Sequence, residues 1–247
     1  MIDIGTVREL YRYPVKSMRG ESVATARLRW QGIDGDRQYA FYRAANTSRF
    51  PWLTGREVSA MVTYEARYLD PENTRRSKVQ VTGPDGVARD VGAPGLRDEL
   101  SAAAGEEVRL LQLGRGTFDA MPVSVVSTAT GALLDRICGR AVDLRRFRPN
   151  IVLDLAATGA GEADFLDGAL VFGDGEAPPR LRLNERIERC AMITLDPDSA
   201  AKDVSIMRRV VEALDNLVGV YCAIEAIGTI AVGDRVRLVR SAEASAS

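Results

Sequence analysis

Residues 186–198 read Arg-Ile-Glu-Arg-Cys-Ala-Met-Ile-Thr-Leu-Asp-Pro-Asp, which places one cysteine between a charged run and a short apolar run. The apolar run stops at Asp-Pro-Asp, a turn signal. This pattern predicts that the Cys190 thiol lies at the mouth of a structural element and not deep inside one. Arg186 and Arg189 favour the thiolate, which attacks electrophiles or binds soft metals. The stretch alone leaves open whether Cys190 is a ligand, a nucleophile or neither.

The composition of the chain is that of an ordinary globular protein, with 46% hydrophobic and 27% charged residues. The formal net charge of −1 provides no general attraction to nucleic acid or to an anionic membrane. The N-terminus lacks the features of a signal peptide, and no apolar run reaches the length of a bilayer span. We therefore expect a cytoplasmic protein that binds neither nucleic acid nor membrane.

The sequence contains no histidine, and this excludes more chemistry than any other feature. Ser-His-Asp and Cys-His catalysis are ruled out, as are histidine-ligated zinc, haem and non-haem iron. The three cysteines, Cys138, Cys190 and Cys222, form neither a CxxC pair nor the four-thiolate set of an iron–sulfur cluster, so we expect free thiols. The remaining candidates are carboxylates, lysine, arginine, hydroxyls, a cysteine thiolate or a bound cofactor.

The first part of the chain, residues 1–113, is predicted to contain short strands separated by turns. A strand is predicted over residues 61–68 and a hairpin over residues 79–91, where Asp-Gly marks the turn. Helical spacing over residues 96–104 ends at a glycine, a good C-cap residue. Several short strands at such intervals are typical of a β-barrel or a sandwich.

The second part, residues 114–240, is predicted to mix strands with a few helices. Ser127 and Thr128 form an N-cap pair before apolar positions that follow helical spacing. Another helix is predicted around residues 207–214, and the Ser/Ala/Glu tail at residues 241–247 is predicted to be disordered. The expected fold class is α+β, mostly β, with a domain boundary between the two parts.

Several local features could bind a small anionic ligand together. Lys16 and Ser17 present an ammonium and a hydroxyl side by side, and Arg37 follows a tight turn at a strand start. The predicted helix N-terminus offers hydroxyls and free backbone N–H groups, and Arg148 in an Arg-Pro-Asn triplet can point into a cleft. Each feature is also explained as a solvated turn, a helix cap or a surface charge run. The spacing therefore predicts an anion pocket with a thiol, and no particular reaction.

Taken in order, four motifs resemble those of the MOSC proteins, the family named for the C-terminal domain of molybdenum cofactor sulfurase. They are Pro-Val-Lys-Ser at 14–17, Gly-Asp-Arg at 35–37, Phe-Arg-Pro-Asn-Ile-Val at 147–152 and Arg-Cys-x-x-x-Thr-x-Asp-Pro-Asp at 189–198. The similarity covers nearly the whole chain and is strongest to the branch that contains the mitochondrial amidoxime-reducing component and its bacterial relatives. In that branch an N-terminal β-barrel domain precedes a MOSC β-barrel domain, so the resemblance implies the same architecture here.

The resemblance also implies a molybdenum pterin cofactor whose metal is bound by the thiolate of Cys190. The positions where the family holds the pterin and its phosphate correspond here to Lys16, Ser17, Arg37, Ser127, Thr128 and Arg148. Arg189 and Tyr221 resemble further cofactor contacts of the family. Thr54 and Arg56 lie in a segment similar to a family stretch near the pocket. A soft thiolate for molybdenum and cationic side chains for a phosphate agree with the pocket predicted from the residues alone.

By resemblance the reaction is reductive: an N-hydroxylated compound of the amidoxime type loses its oxygen and leaves as the N–H product. The cofactor would carry the chemistry, and the protein would supply orientation and electrostatics. Some bacterial relatives carry a C-terminal ferredoxin domain with four cysteines, and the sequence to Ser247 contains no such set. We therefore expect electrons to come from a separate redox protein and its reductase.

Two departures from the family pattern bear on these expectations. Arg-Ile-Glu precedes Arg189, where relatives often carry a proline or a cysteine, and Thr128 stands where some relatives carry a carboxylate.

Two alternatives also remain open. The protein could be a sulfur carrier that holds a persulfide on Cys190 without molybdenum, or a MOSC domain that only binds the cofactor. Lys16 could in principle accept pyridoxal phosphate, which family descriptions sometimes mention, although MOSC domains do not need it.

Overall fold

The computed structural model describes residues 1–155 and 160–240, so the predicted disordered tail at 241–247 lies outside the described residues. Within the described residues no helix is long and apolar enough to cross a membrane. The strands are β1 (Ile2–Arg12), β2 (Glu21–Ser22), β3 (Thr25–Arg29), β4 (Gly32–Ile33), β5 (Tyr39–Arg43), β6 (Glu65–Tyr68), β7 (Val79–Thr82), β8 (Ala88–Asp90), β9 (Val108–Gln112), β10 (Val123–Ser127), β11 (Ile151–Leu155), β12 (Ala169–Phe172), β13 (Arg180–Glu188), β14 (Leu217–Ala226), β15 (Gly228–Ala231) and β16 (Arg235–Val239). The α-helices are α1 (Pro94–Ala104), α2 (Thr128–Cys138) and α3 (Val204–Leu214).

In the described part of the chain, seven strands close into a β-barrel. Their order is β11-β10-β14-β13-β12-β16-β1, and β1 pairs back onto β11 to complete the ring. Only the β10–β11 pair is parallel among these described neighbours. Alternate side chains point inward and fill the barrel with apolar groups such as Val7, Leu153, Leu170 and Val236. The predicted α+β class, mostly β with a barrel and a few helices, is confirmed.

One strand from the beginning of the chain, β1, completes this barrel by pairing with β11 and β16. Another, β3, pairs with β15 from the second part in a separate small sheet. Leu10 and Leu28 accordingly belong to the same apolar core as Leu153 and Leu238 from the second part. The division into residues 1–113 and 114–240 stays a prediction about the sequence, and the strand pairing crosses it.

The rest of the first part builds a separate core from small sheets. β5 pairs with β9, and β7 pairs with β6 and with β8. Phe41, Val81, Leu96 and Leu100 pack together there, so α1 covers these strands. The predicted hairpin over residues 79–91 and the predicted helix are both present, and Gly105 ends α1 at a φ of 71°.

The predicted strand over residues 61–68 is wrong in its first half. Residues Ser59–Thr63 form a 3-10 helix, and the strand begins at Glu65. The neighbours Met61 and Val62 are both buried. A strand would send consecutive side chains to opposite faces, so burial of both favours the helical turn.

A third apolar cluster fixes the segments that lead to the candidate site. It packs α2 and α3 through Leu134, Ile206 and Val210 against Phe147 and Ile193. Phe147 ends a 3-10 helix just before Arg148, and Ile193 lies in the 3-10 helix that follows Cys190. The cluster therefore anchors two segments that the sequence analysis associated with a ligand.

Barrel closure can be tested at Gly5, which faces Leu155 on one side of β1 and Val236 on the other. Its φ is 147°, and a Cβ there would overlap the backbone carbonyl oxygen of Asp154. We expect Gly5→Ala to lower the free energy of unfolding by about 3 kcal/mol, because neither backbone can move without breaking the ladder. Urea denaturation at equilibrium measures this change.

The matched control is Gly95→Ala, at an exposed position in the first turn of α1 where a Cβ meets nothing within 4 Å. Alanine is the better helix former, so this variant should be about 0.5 kcal/mol more stable than the native chain. Equal changes in the free energy of unfolding for the two variants would contradict the claim that the pairing of β1 with β11 closes the barrel.

Candidate functional site

A cavity of about 500 Å³, within the range of small-molecule sites, lies beside the end of β13. It brings together most of the residues that the sequence analysis singled out, namely Lys16, Ser17, Arg37, Thr54, Arg56, Arg148, Arg189, Cys190 and Tyr221. The sequence analysis missed further lining residues: Phe50, Asp119, Ser124, Arg146, Phe147, Ile187, Glu188, Met192 and Ile193. We call this space the cofactor cavity.

Cys190 lies where its sequence context predicted. It lies two residues after the end of β13, is the N-cap of a 3-10 helix at Ala191–Thr194 and is exposed. The backbone beside it is held by Asn216, whose Nδ2 donates to the carbonyl of Arg189 at 2.8 Å. The backbone N–H of Arg189 in turn donates to the carbonyl of Asn216 at 3.0 Å. The thiol is thus presented to the cavity from a fixed backbone.

Arg189 directs its guanidinium into the protein beneath this thiol. Nε donates to the carbonyl of Val218 and Nη1 to that of Phe147, both at 2.8 Å. Nη2 is buried and has no hydrogen-bond partner in the described residues. Burial lowers the pKa of Arg189 to about 10, although Tyr221 acts in the opposite direction. The group is therefore a buried cation with an unused donor.

Gly219 creates the room for this guanidinium. A Cβ at Gly219 would lie 2.8 Å from Nη2 of Arg189 and 2.9 Å from Cγ2 of Val126. The residue also has a φ of 79°, in the left-handed region that glycine enters freely. Position 219 is therefore restricted to glycine by space and by backbone conformation.

Arg37 and Arg148, from distant parts of the chain, meet at Tyr13. The centres of their guanidinium groups lie 4.7 and 4.3 Å from the centroid of the Tyr13 ring. The ring is buried, and its hydroxyl donates to the carbonyl of Pro149 at 3.0 Å. Such cation–π contacts hold a guanidinium in place without neutralising its charge. Tyr13 directly precedes the Pro-Val-Lys-Ser motif, and the sequence did not single it out because ring packing has no signal in sequence spacing.

The two arginines differ in how their charge is balanced. Arg37 pairs with the buried carboxylate of Asp36, which raises the pKa of Arg37 even though burial opposes this. Arg148 donates from Nη1 to the carbonyl of Met18 at 2.8 Å, and its Nη2 is buried without a partner in the described residues. Burial lowers the pKa of Arg148 to about 10, and the charge of Arg37 adds to the effect. Arg148 is therefore a second buried cation with an unused donor.

Three of the predicted site residues have left-handed backbone conformations. The φ angles are 66° for Ser17, 49° for Arg37 and 51° for Arg148. For residues with a side chain this conformation costs about 1 kcal/mol or more each. The surrounding structure must hold them there, which is common where side-chain direction matters for binding.

Lys16 is almost fully buried and reaches across to the segment that links the two parts. Its Nζ donates to the carbonyl of Thr117 at 2.8 Å and to Oδ1 of Asp119 at 2.7 Å. Burial lowers the pKa of Lys16, and Asp119 opposes the shift. An ammonium has three N–H donors, so one remains for a ligand. Asp119 lies in a segment without a recognisable motif, so the sequence offered no signal for it.

The cavity wall near Thr54 is built around an aromatic ring. Nζ of Lys16 and the guanidinium of Arg56 lie 5.5 and 5.1 Å from the centroid of the Phe50 ring. Thr54 is buried, and its hydroxyl donates to the carboxylate of Glu57 at 2.5 Å. Thr54 and Arg56 thus line the cavity, as expected from their segment.

Ser127 and Thr128 are not brought to this cavity. The hydroxyl and the backbone N–H of Ser127 both donate to Oε2 of Glu162, at 2.5 and 2.9 Å. The hydroxyl of Thr128 donates to Oδ1 of Asp154 at 3.1 Å. The predicted N-cap is present, but protein carboxylates occupy the place where an external anion was expected. The nearby Ser124 lines the cavity instead.

The donor set fits an anionic, metal-bearing organic group better than a bare metal ion. The described residues contain no cluster of three or more His, Cys, Asp or Glu side chains that could hold a metal. Cys190 would therefore be a single protein ligand, and the group itself would have to complete the coordination. The unused N–H donors of Arg148 and Arg189 require an acceptor, which an anionic cofactor would supply.

Comparison with known proteins finds relatives that align with nearly the whole chain. The YUAD protein from Bacillus subtilis, a solved structure, superposes with a TM-score of 0.50 at 12% identity over 95% of both chains, which concerns the fold alone. Mitochondrial amidoxime reducing component 2 from Bos taurus is 26% identical and aligns with 94% of this chain and 83% of its own length. Mitochondrial amidoxime-reducing component 1 from Mus musculus is also 26% identical, over 96% and 83%.

Family profiles cover nearly all of the described chain. Residues 4–109 match the MOSC N-terminal beta barrel domain, and residues 113–237 match the MOSC domain. These matches agree with the motif order that suggested the same resemblance. The chain therefore belongs to the MOSC domain family and carries a MOSC N-terminal beta barrel domain ahead of its MOSC domain.

Proposed function

We propose that the protein is a molybdenum-pterin-dependent oxidoreductase that reduces N-hydroxylated compounds of the amidoxime type. The observation that carries this proposal is the exposed Cys190 thiol in a cavity where Arg148 and Arg189 keep buried, unused N–H donors. The similarity to the amidoxime reducing components supports the choice of reaction. Electrons would come from a separate redox protein served by a reductase.

Different residues of the cavity would bind different parts of the cofactor. The thiolate of Cys190 would bind the metal, because molybdenum accepts soft sulfur ligands. Lys16, Ser17 and Arg37 would bind the phosphate, and Arg148 would bind the anionic pterin or its phosphate through its free Nη2. Ser127 and Thr128, which the family pattern suggested for the same task, are left out because their hydroxyls are engaged elsewhere.

The reaction breaks the N–O bond, takes up two electrons and two protons, and releases water and the N–H product. When bound, the cofactor supplies the two-electron chemistry at its metal. The protein would orient the substrate beside the exposed sulfur of Cys190. Burial raises the pKa of Tyr221, so its phenol keeps its proton at neutral pH and can donate a hydrogen bond at the cavity wall.

Metal content tests the role of Cys190. Protein made in a host that synthesises the cofactor should contain nearly one molybdenum per chain, and Cys190→Ala should lower this by about tenfold or more, because the direct metal ligand is gone. Benzamidoxime reduction should fall in parallel. Elemental analysis of the purified protein gives the metal content.

Cys138→Ala is the matched control, since Cys138 packs against the helical cluster and does not line the cofactor cavity. It should retain its molybdenum. Undiminished molybdenum in Cys190→Ala would contradict the proposal. Metal-free native protein with a labile sulfur on Cys190 would instead establish the sulfur-carrier alternative.

The pH dependence of anion binding tests whether Lys16, Arg148 and Arg189 attract an anion into the cofactor cavity, with pyrophosphate as the probe. Lys16 attracts an anion only while protonated, so its contribution is complete below its folded pKa and is lost as the pH rises through it. Burial lowers that pKa, whereas Arg148 and Arg189 hold their charge to a pKa of about 10. Affinity measured calorimetrically should therefore already fall at pH values below the ordinary titration range of a lysine side chain, where Arg148 and Arg189 are still charged.

Lys16→Met should bind pyrophosphate more weakly at neutral pH and show a flatter pH profile, since the titrating group is absent. A native profile that stays flat over this range, or a variant with the same slope as the native protein, would contradict the assignment of Lys16 to the anion.

A further inference from the structure

A second cavity, of about 380 Å³, shares a wall with the cofactor cavity. Met192, Arg146 and Arg148 line both spaces. The second cavity is also lined by aromatic and apolar side chains that the function proposed above does not use, namely Tyr11, Tyr13, Val62, Leu195 and Pro197, and by Arg19, Gly20, Ser22 and Arg145. We call it the tyrosine cavity, and its volume is within the range of small-molecule sites.

The wall of the tyrosine cavity is flat and aromatic. The rings of Tyr11 and Tyr13 are stacked, with centroids 6.4 Å apart and planes 28° from parallel. Gly20 also lines the cavity, and a Cβ there would come within 2.5 Å of Cδ1 of Tyr13. Gly20 therefore packs its backbone closely against the edge of the Tyr13 ring. Tyr13 is buried beneath Arg37 and Arg148, so the half-buried ring of Tyr11 is the aromatic surface that a planar ligand can reach, and such a ligand gains from stacking as well as from burial.

The charges around the tyrosine cavity favour a neutral or anionic ligand over a cation. Arg19 and Arg145 both pair with Asp198, at 2.8 and 2.6 Å. Arg148 has no carboxylate partner of this kind in the described residues, and its Nη2 is an unused donor. The surplus charge is thus positive and lies in the wall shared with the cofactor cavity.

Met192 is the one apolar residue among the three that line both spaces. It lies two residues after Cys190, in the 3-10 helix that Cys190 caps. Its unbranched thioether can adapt to different ligands and contacts aromatic rings favourably. A ligand that reaches across Met192 would have one end beside the sulfur of Cys190 and the other against the tyrosines.

We propose that the tyrosine cavity binds the planar aromatic body of the substrate while its N-hydroxylated group lies in the cofactor cavity beside Cys190. This assignment rests on the proposed function and specifies the substrate class as aromatic and neutral or anionic.

A binding experiment that needs neither metal nor turnover tests the site itself. The probe is 2-naphthoate, a planar anion without an N-hydroxyl group, titrated into the purified protein and followed by its fluorescence. Ser22 is an exposed residue of β2 that lines the tyrosine cavity, so a large ring there would fill the cavity from its rim. The native protein should bind one naphthoate, and Ser22→Trp should weaken binding by about tenfold or more.

Ser22→Ala is the matched control and should bind within about twofold of the native protein. Ser22→Tyr is a second filling variant if circular dichroism shows that tryptophan disturbs the fold. The proposal is overturned if the native protein shows no saturable binding, or if the filling variants bind naphthoate as the native protein does. It is also overturned if Arg37→Ala abolishes binding and the filling variants do not, because the probe would then occupy the cofactor cavity.

The loaded enzyme provides a second readout. The ratio of kcat/KM for 2-naphthamidoxime to kcat/KM for acetamidoxime should fall by about tenfold in Ser22→Trp and stay within about twofold in Ser22→Ala. An unchanged ratio in Ser22→Trp contradicts the assignment. Because naphthoate binding does not depend on molybdenum, a protein without reductase activity can still confirm or refute the aromatic site.

Discussion

The pairing of β1 with β11 is the contact on which the rest of the molecule depends. It closes the barrel with a strand from the beginning of the chain, and it determines where the residues after Arg12 must go. The backbone N–H of Tyr13 donates to Oδ1 of Asp36 at 2.7 Å as soon as the strand ends. From there the chain leads into the buried Lys16 and Ser17. One strand pairing thus joins the barrel to the cationic side of the cofactor cavity.

The cavity is unusual in the amount of positive charge that it keeps out of water. Asp36 balances Arg37 and Asp119 balances Lys16, but Arg148 has no carboxylate at comparable distance in the described residues. A buried charge without a partner is unfavourable, and the depressed pKa of Arg148 expresses that cost. An anion in the cavity would remove it. The unpaired charge of Arg148 also lies at the tyrosine cavity, because Arg148 lines both spaces.

Features governed by local rules could be predicted from the sequence. Asp-Gly marked the hairpin at residues 79–91, and Gly105 marked the end of α1, because turns and caps depend on a few adjacent residues. The position of Cys190 at the end of an element also followed from its neighbours. The convergence of distant residues on one cavity was accessible only through the order of the family motifs.

Features that depend on distant partners could not be predicted. The hydroxyl of Ser127 is taken by Glu162, 35 residues later, and nothing at either position indicates the pairing. Asp119 meets Lys16 across a separation of 103 residues, from a segment without a motif. Tyr13 lies next to the Pro-Val-Lys-Ser motif, but its contact with Arg148 depends on how two parts of the chain pack. In each case tertiary packing selected one of several roles that the residue could have had.

A crystal structure of the protein purified with its cofactor would show most directly whether these residues form one site. The expected result is molybdenum bonded to Sγ of Cys190, with the cofactor phosphate within hydrogen-bond distance of Lys16 and an acceptor atom on Nη2 of Arg148. A cofactor bound elsewhere, or a metal with no bond to Cys190, would contradict the convergence of both parts of the chain on a single molybdenum site.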